Sequence, residues 1–162
     1  MHLAGEGVDL HKAVSAEATH GIIALTDAEV AAIRASAVET LLQRPAVRAA
    51  LMREIVLDGA IQREWTLNVG RRNARTRLAH FLCEMGWRME DAGLGTCDSF
   101  RIPLSQELLA DITGLTPIHV NRTIQGLRAE GVIDSIVRPL TVTNPEALTA
   151  VAEFDNRYLR VA

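Results

Sequence analysis

Apolar and polar positions alternate most clearly between Ser105 and Gly131, in SQELLADITGLTPIHVNRTIQGLRAEG. Leu108, Leu109 and Ile112 share one face of a short helix. Ser105 is placed to cap its N-terminus, and Glu107 sits in the first turn, where the helix dipole favours an anion. Gly114 follows as a residue that enters the left-handed region at little steric cost and so ends the helix. Thr116 then caps a second helix that opens on Pro117, whose missing N–H costs nothing in a first turn. Val120, Ile124 and Leu127 recur at i, i+4 and i+7 of this second helix, which stops at Gly131. At about 100° per residue these three point into a core. Ile118, Arg122, Gln125 and Ala129 point the opposite way, with His119 and Asn121 on the flanks. Two capped helices around a glycine turn form a helix-turn-helix pattern.

The outward face of the second helix carries the chemistry of base readout. Arginine bonds guanine bidentately, glutamine or asparagine bonds adenine, and an aliphatic side chain touches the thymine methyl. A solvated face of an ordinary all-α protein holds similar residues, so the pattern alone leaves both readings open.

Elsewhere the periodicity predicts a longer helix from Pro45 to about Val69, roughly 37 Å at the usual rise. Val47, Leu51, Ile55, Ile61, Trp65 and Val69 form its apolar stripe, widened by Ala50, Leu57 and Ala60. So long a stripe exceeds what one neighbouring domain covers, which favours a partner helix from a second subunit over packing within the chain. Asp58 and Gly59 interrupt it, so no long regular coiled coil is expected. Gly70 ends this helix and Asn73 caps the next, whose buried face (Leu78, Ala79, Phe81, Leu82, Met85) runs to about Gly86. Gly93–Ser99 reads as a loop and Phe100–Pro103 as a short strand. Val132-Ile133 and Leu140–Val142 read as a hairpin, and Glu146–Leu159 as a short amphipathic helix. Strand, two helices and hairpin together make the winged form of the unit. The first third differs: Gly21–Leu25 is a β-type run, Ala35–Leu42 is helical, and two or three strands here do not close a sheet by themselves.

Composition narrows the classes. The 162 residues suit one or two small domains, and 48% hydrophobic with only 4% aromatic residues is a helix-rich balance. A net charge of −3 argues against bulk electrostatic binding of nucleic acid, though not against a local basic patch. The clearest patch is Arg71, Arg72, Arg75 and Arg77, read either as a solvated helix start or as a phosphate-binding or salt-bridged hinge. The two cysteines, Cys83 and Cys97, have no C-x-x-C spacing, which suits a reducing cytoplasm. Cys83 lies in an apolar run and reads as packed. The five histidines lack ligand spacing, so no metal is expected, and no apolar run has the length of a bilayer span. No nucleophile–base set, phosphate loop or carboxylate pair supports an enzyme.

The ordered strings NVGRRNARTRLAHFLCEM, FRIPLSQELLADITGLTPIHVNRTIQGLRAEGVI and the terminal FDNRYL resemble the C-terminal part of Crp/Fnr bacterial transcription regulators, in the branch common in alphaproteobacteria. The resemblance runs from Ala35 onward. It implies a mainly α (α+β) chain: a remnant of a cyclic-nucleotide-binding-like β-roll over 1–42, a dimerisation helix over 43–70, a winged helix-turn-helix over 71–147, and a C-terminal helix or tail over 148–162. It implies double-stranded DNA as partner, a homodimer on a two-fold symmetric operator, a recognition helix over 116–130, and RNA polymerase as a further partner. By this resemblance Thr116 contacts phosphate, Pro117, Ile118 and Arg122 face bases, and His119 faces the backbone. Ser105 and Gln106 anchor the first helix near the DNA backbone, and Asn121 and Gln125 complete the expected DNA face. Val47, Leu51, Ile55, Ile61 and Trp65 are the expected dimer residues.

The N-terminus departs from the family pattern. Where nucleotide-binding members carry an arginine and a serine, this chain has Ala18 and Thr19. A buried phosphate there would lack its guanidinium partner. The cysteine cluster of iron–sulfur members is missing as well, so no cofactor is expected. The earlier strands of the roll are absent from the sequence, which suggests a truncated regulator. An alternative is a non-sensing partner that heterodimerises with a full-length relative through the helix 45–69, since unpaired strand edges seek partners.

Overall fold

Asn73 starts the helix around which much of the chain is built: its side-chain oxygen accepts from the Thr76 N–H at 3.0 Å. The computed structural model describes residues 1–10, 21–101, 103–134 and 140–160. In chain order these hold α1 (Ala35–Leu42), α2 (Pro45–Arg71), α3 (Ala74–Asp91), β1 (Gly95–Thr96), β2 (Ser99–Phe100), α4 (Gln106–Thr113), α5 (Pro117–Ala129), β3 (Leu140–Thr141), α6 (Pro145–Ala152) and a closing 3-10 turn, Asn156–Leu159. The chain divides into two units, Met1–Gln62 with Tyr158–Ala162, and Arg63–Arg157.

In the second unit α3 is the shared wall, touching α4, α5, α6, β1 and β2. Its buried Leu78, Ala79, Phe81, Leu82 and Met85 join a core with Leu109 of α4, Val120, Ile124 and Leu127 of α5, Phe100 and Leu140 of the sheet, and Leu148 of α6. The sheet runs β1-β2-β3, antiparallel throughout, pairing Gly95 with Phe100 and Ser99 with both Thr96 and Thr141. No helix among the described residues is long and apolar enough to cross a membrane.

Several boundaries differ from those expected. Gly70 lies within α2, which continues to Arg71. Gly86 does not end α3, which runs five residues further to Asp91. A Cβ at Gly86 would sit 2.8 Å from both the Cys97 carbonyl oxygen and the Phe100 ring, so this glycine permits close approach of β-structure to the helix. Gly93–Ser99 is not a featureless loop but contains β1 and the turn into β2, in which Thr96 Oγ1 accepts from the Ser99 N–H at 3.1 Å. The strand expected at Phe100–Pro103 is shorter, ending at Phe100, and Ile102 lies outside the described residues. The expected hairpin pairing is present at its open end: Ile133 and Val142 form an antiparallel bridge, the Asp134 N–H donates to the Thr141 carbonyl at 2.9 Å and the Thr143 N–H to that of Val132 at 3.0 Å, while Leu140–Thr141 also pairs with β2. Residues 135–139 lie outside the described residues. The last helix is also shorter, since Glu153 turns left-handed (φ 49°) and separates α6 from the 3-10 turn.

In the first unit, α1 forms over the expected Ala35–Leu42. Gly21–Leu25 does not form a strand, and none occurs among the described residues before α1. A strand needs a neighbour for its backbone groups, and Ile22 and Ile23 stand exposed. Ala18 and Thr19 lie outside the described residues. Along α2 within this unit, Val47, Leu51, Ile55 and Ile61 are half-buried, and Met52 and Val56 are exposed.

Candidate nucleic-acid interface

Local chemistry builds the two-helix corner from its ends. Ser105 Oγ accepts from the Leu108 N–H at 3.2 Å and starts α4, with Glu107 in the first turn. Gly114 closes α4 at φ 63°, ψ 36°. The Leu115 N–H reaches back to the Ala110 carbonyl at 2.9 Å and the Gly114 N–H to that of Asp111 at 3.3 Å, the paired bonds of a Schellman end. The buried Thr113 hydroxyl donates to the Leu109 carbonyl at 2.6 Å. Thr116 Oγ1 then accepts from the His119 N–H at 3.3 Å and opens α5, with Pro117 in its first turn.

The two faces of α5 separate as its spacing requires. Val120, Ile124 and Leu127 are at most 3% exposed, whereas Ile118 is 72% exposed. Arg122, Gln125 and Ala129 are exposed on the same outer side, and His119 and Asn121 are exposed beside it. Asn121 Nδ2 donates to Gln106 Oε1 at 3.2 Å, which ties the recognition-type helix to the start of α4. His119 Nδ1 lies 3.0 Å from Thr116 Oγ1. Every residue expected to face DNA, from Ser105 and Gln106 to Gln125, therefore falls on this corner.

Residues 76–151 match the family model of the Crp-like helix-turn-helix domain. The transcriptional activator protein FnrL of Cereibacter sphaeroides is 32% identical over 120 residues, covering 70% of this chain and 48% of that protein. The chain belongs to the Crp/Fnr family of transcription regulators. The nitrogen fixation regulation protein FixK of Bradyrhizobium diazoefficiens is 34% identical over 91 residues, covering 56% of this chain and 38% of that protein. The solved structure of FixK2 from Bradyrhizobium japonicum aligns with a TM-score of 0.63 at 25% identity, over 74% of this chain and 59% of that one. The chain spans about half the length of the first curated relatives it matches.

Of the two readings of the arginine cluster in this Crp/Fnr chain, the salt-bridged one fits Arg72 and Arg75 and the solvated helix start does not. Arg72 is buried, with Nη2 2.6 Å from Glu64 Oε1 and Nη1 3.4 Å from Asn68 Oδ1. Arg75 forms a two-pronged pair with Glu130 just past the end of α5, and that hydrogen bonding holds the Glu130 carboxyl below the usual carboxylate range. Arg77 is spent on backbone carbonyls. Arg71 is exposed, and the Arg75 side chain remains 41% exposed within its pair with Glu130. Trp65, expected in a seam with a second subunit, packs edge-on against Phe81 with ring centres 6.0 Å apart, and its Nε1 donates to Glu84 Oε1 at 3.1 Å. Arg88 closes on the same Glu84 oxygen at 3.4 Å.

One further group escaped the sequence reading. His80 is buried against the Phe154 ring, centres 5.3 Å apart, with Nε2 3.7 Å from Glu64. Desolvation, then the nearby Arg72 charge, push its pKa down to about 4, opposed by Glu64 and by a backbone hydrogen bond at Ala152. Only its place in an apolar run hinted at this. Cys83 is packed as expected, and burial pushes its thiol up to about 12. Among the described residues no group of three or more His, Cys, Asp or Glu side chains is placed to hold a metal.

Proposed function

We propose that this chain is a cytoplasmic, sequence-specific DNA-binding transcription factor that acts as a homodimer on a two-fold symmetric operator. The split of α5 into a buried aliphatic face and an exposed Ile118/Arg122/Gln125 face is the observation that carries this reading. Residues 71–147 act as the DNA-binding domain. Ser105, Gln106, Thr116 and His119 contact the phosphate backbone and set the register, while Pro117, Ile118, Arg122, Asn121 and Gln125 meet base edges. Residues 43–70 supply the dimer helix through Val47, Leu51, Ile55 and Ile61, whose partial exposure in the single chain supports a second copy as their cover. Trp65 contributes by bracing that helix against α3. Two recognition helices then read half-sites about one helical turn apart. The relatives named as transcriptional activators support regulation of transcription, with RNA polymerase as a further partner.

Selection from random duplexes followed by gel shift tests the reading. Arg122→Ala is expected to lose about 1–3 kcal/mol of binding and to relax preference at one base pair. Unchanged affinity and unchanged preference would remove Arg122 from the base-reading role. Light scattering of the purified chain is expected to give a dimer; a monomer that pairs only with a longer relative would replace the homodimer by a heterodimer.

A further inference from the structure

The five N–H donors of Arg77 all end on backbone carbonyls, and those carbonyls belong to two different helix ends. Nε donates to the Asn68 carbonyl at 3.2 Å. Nη2 donates to those of Val69 at 2.9 Å and Arg72 at 3.0 Å. Nη1 donates to those of Thr113 at 3.0 Å and Gly114 at 3.4 Å. The first three lie at the C-terminal end of α2 and the last two at the C-terminal end of α4, within the turn of the helix-turn-helix. Carbonyls in a helix's last turn have no partner inside the helix and gather partial negative charge. One planar cation with five donors satisfies both sets at once. The Asn68 side chain returns a bond, Nδ2 to the Arg77 carbonyl at 3.4 Å, and Asn68 is itself fully buried.

We infer that Arg77 is a positioning residue that locks the last turn of α2 to the turn before α5 and thereby fixes the direction in which the recognition helix leaves the end of α2. This rests on the reading of α5 as the recognition helix and α2 as the dimer helix. Arg77 itself touches no base. Its effect falls on the distance between two half-sites, because that distance depends on how rigidly each reader is held to its dimer helix. Base preference inside one half-site depends on the outer face of α5, which Arg77 does not join. Lysine cannot replace it: an ammonium has three tetrahedral donors and cannot span two helix ends in one plane.

The test uses the full chain with Arg77→Lys, and Arg77→Gln as a second variant. Spin labels at Leu67→Cys on α2 and Asp111→Cys on α4, in a Cys97→Ser background diluted with unlabelled chain, report the distance distribution between the two helix ends. Both variants are expected to broaden it while circular dichroism keeps the native helix content. Binding to palindromes of varied spacing is expected to show about tenfold discrimination per added base pair in the native chain and under about threefold in the variants, with base preference within a half-site unchanged. An unbroadened distribution would overturn the inference. So would a parallel loss of spacing and base preference, which marks a general loss of structure. Broadening in a chain whose native form binds no duplex would leave the lock standing and refute the DNA-reading proposal instead.

Discussion

Acidification from pH 7 to pH 5 is expected to weaken this protein by protonating one side chain, His80, in the unfolded chain well before the folded one. The imidazole is buried between Glu64, Arg72 and Phe154, and its pKa is pushed down to about 4. In the unfolded chain it returns to about 6.5. The unfolded state therefore binds the proton first, and stability is complete above the unfolded value and lost as pH falls toward the folded one. Across the whole window the loss is about 3 kcal/mol, of which about 2 kcal/mol falls between pH 7 and pH 5. Urea unfolding at fixed protein concentration measures it, since the stability of any chain that self-associates varies with concentration. His80→Gln keeps hydrogen-bonding capacity without a titrating group and is expected to flatten the curve over this range. A native chain equally stable at both pH values, or a variant that loses as much as the native chain, would refute the account of His80 as a buried neutral imidazole.

Gly86→Ala is expected to destabilise by about 1–3 kcal/mol, because its methyl would meet the Cys97 carbonyl and the Phe100 ring at 2.8 Å; thermal unfolding reads this, and an unchanged midpoint would disprove the close contact. Thr116→Ala is expected to cost about 1 kcal/mol through the lost cap, with Thr116→Ser restoring most of it in the same assay.

What was legible in the sequence is what is decided within a few residues. Ser105, Asn73, Thr116 and Gly114 act on backbone groups next to them, so their caps and the left-handed turn follow from residue type and spacing. The two faces of α5 were equally legible, since a helix places Val120, Ile124 and Leu127 together whatever surrounds it. Contacts distant in sequence were not. Gly86 reads locally as a terminator, and only the approach of Cys97 and Phe100 shows that it serves close packing. β1 is two residues long and has no periodicity to detect. The arginines from Arg71 to Arg77 looked alike because their fates depend on Glu64, Glu130 and Thr113, which are near in space but remote from any one pattern.

The division of labour on α5 has an evolutionary corollary. Val120, Ile124 and Leu127 alone carry that helix's share of the core, while Ile118, Arg122 and Gln125 project from the opposite side. Exchanges of exposed residues away from caps and cores usually change stability by less than about 0.5 kcal/mol. On the proposed reading of that face as the base-reading one, a gene copy can therefore drift at those three outer codons toward a new target sequence while its product still folds, so the scaffold diversifies its addresses without being rebuilt.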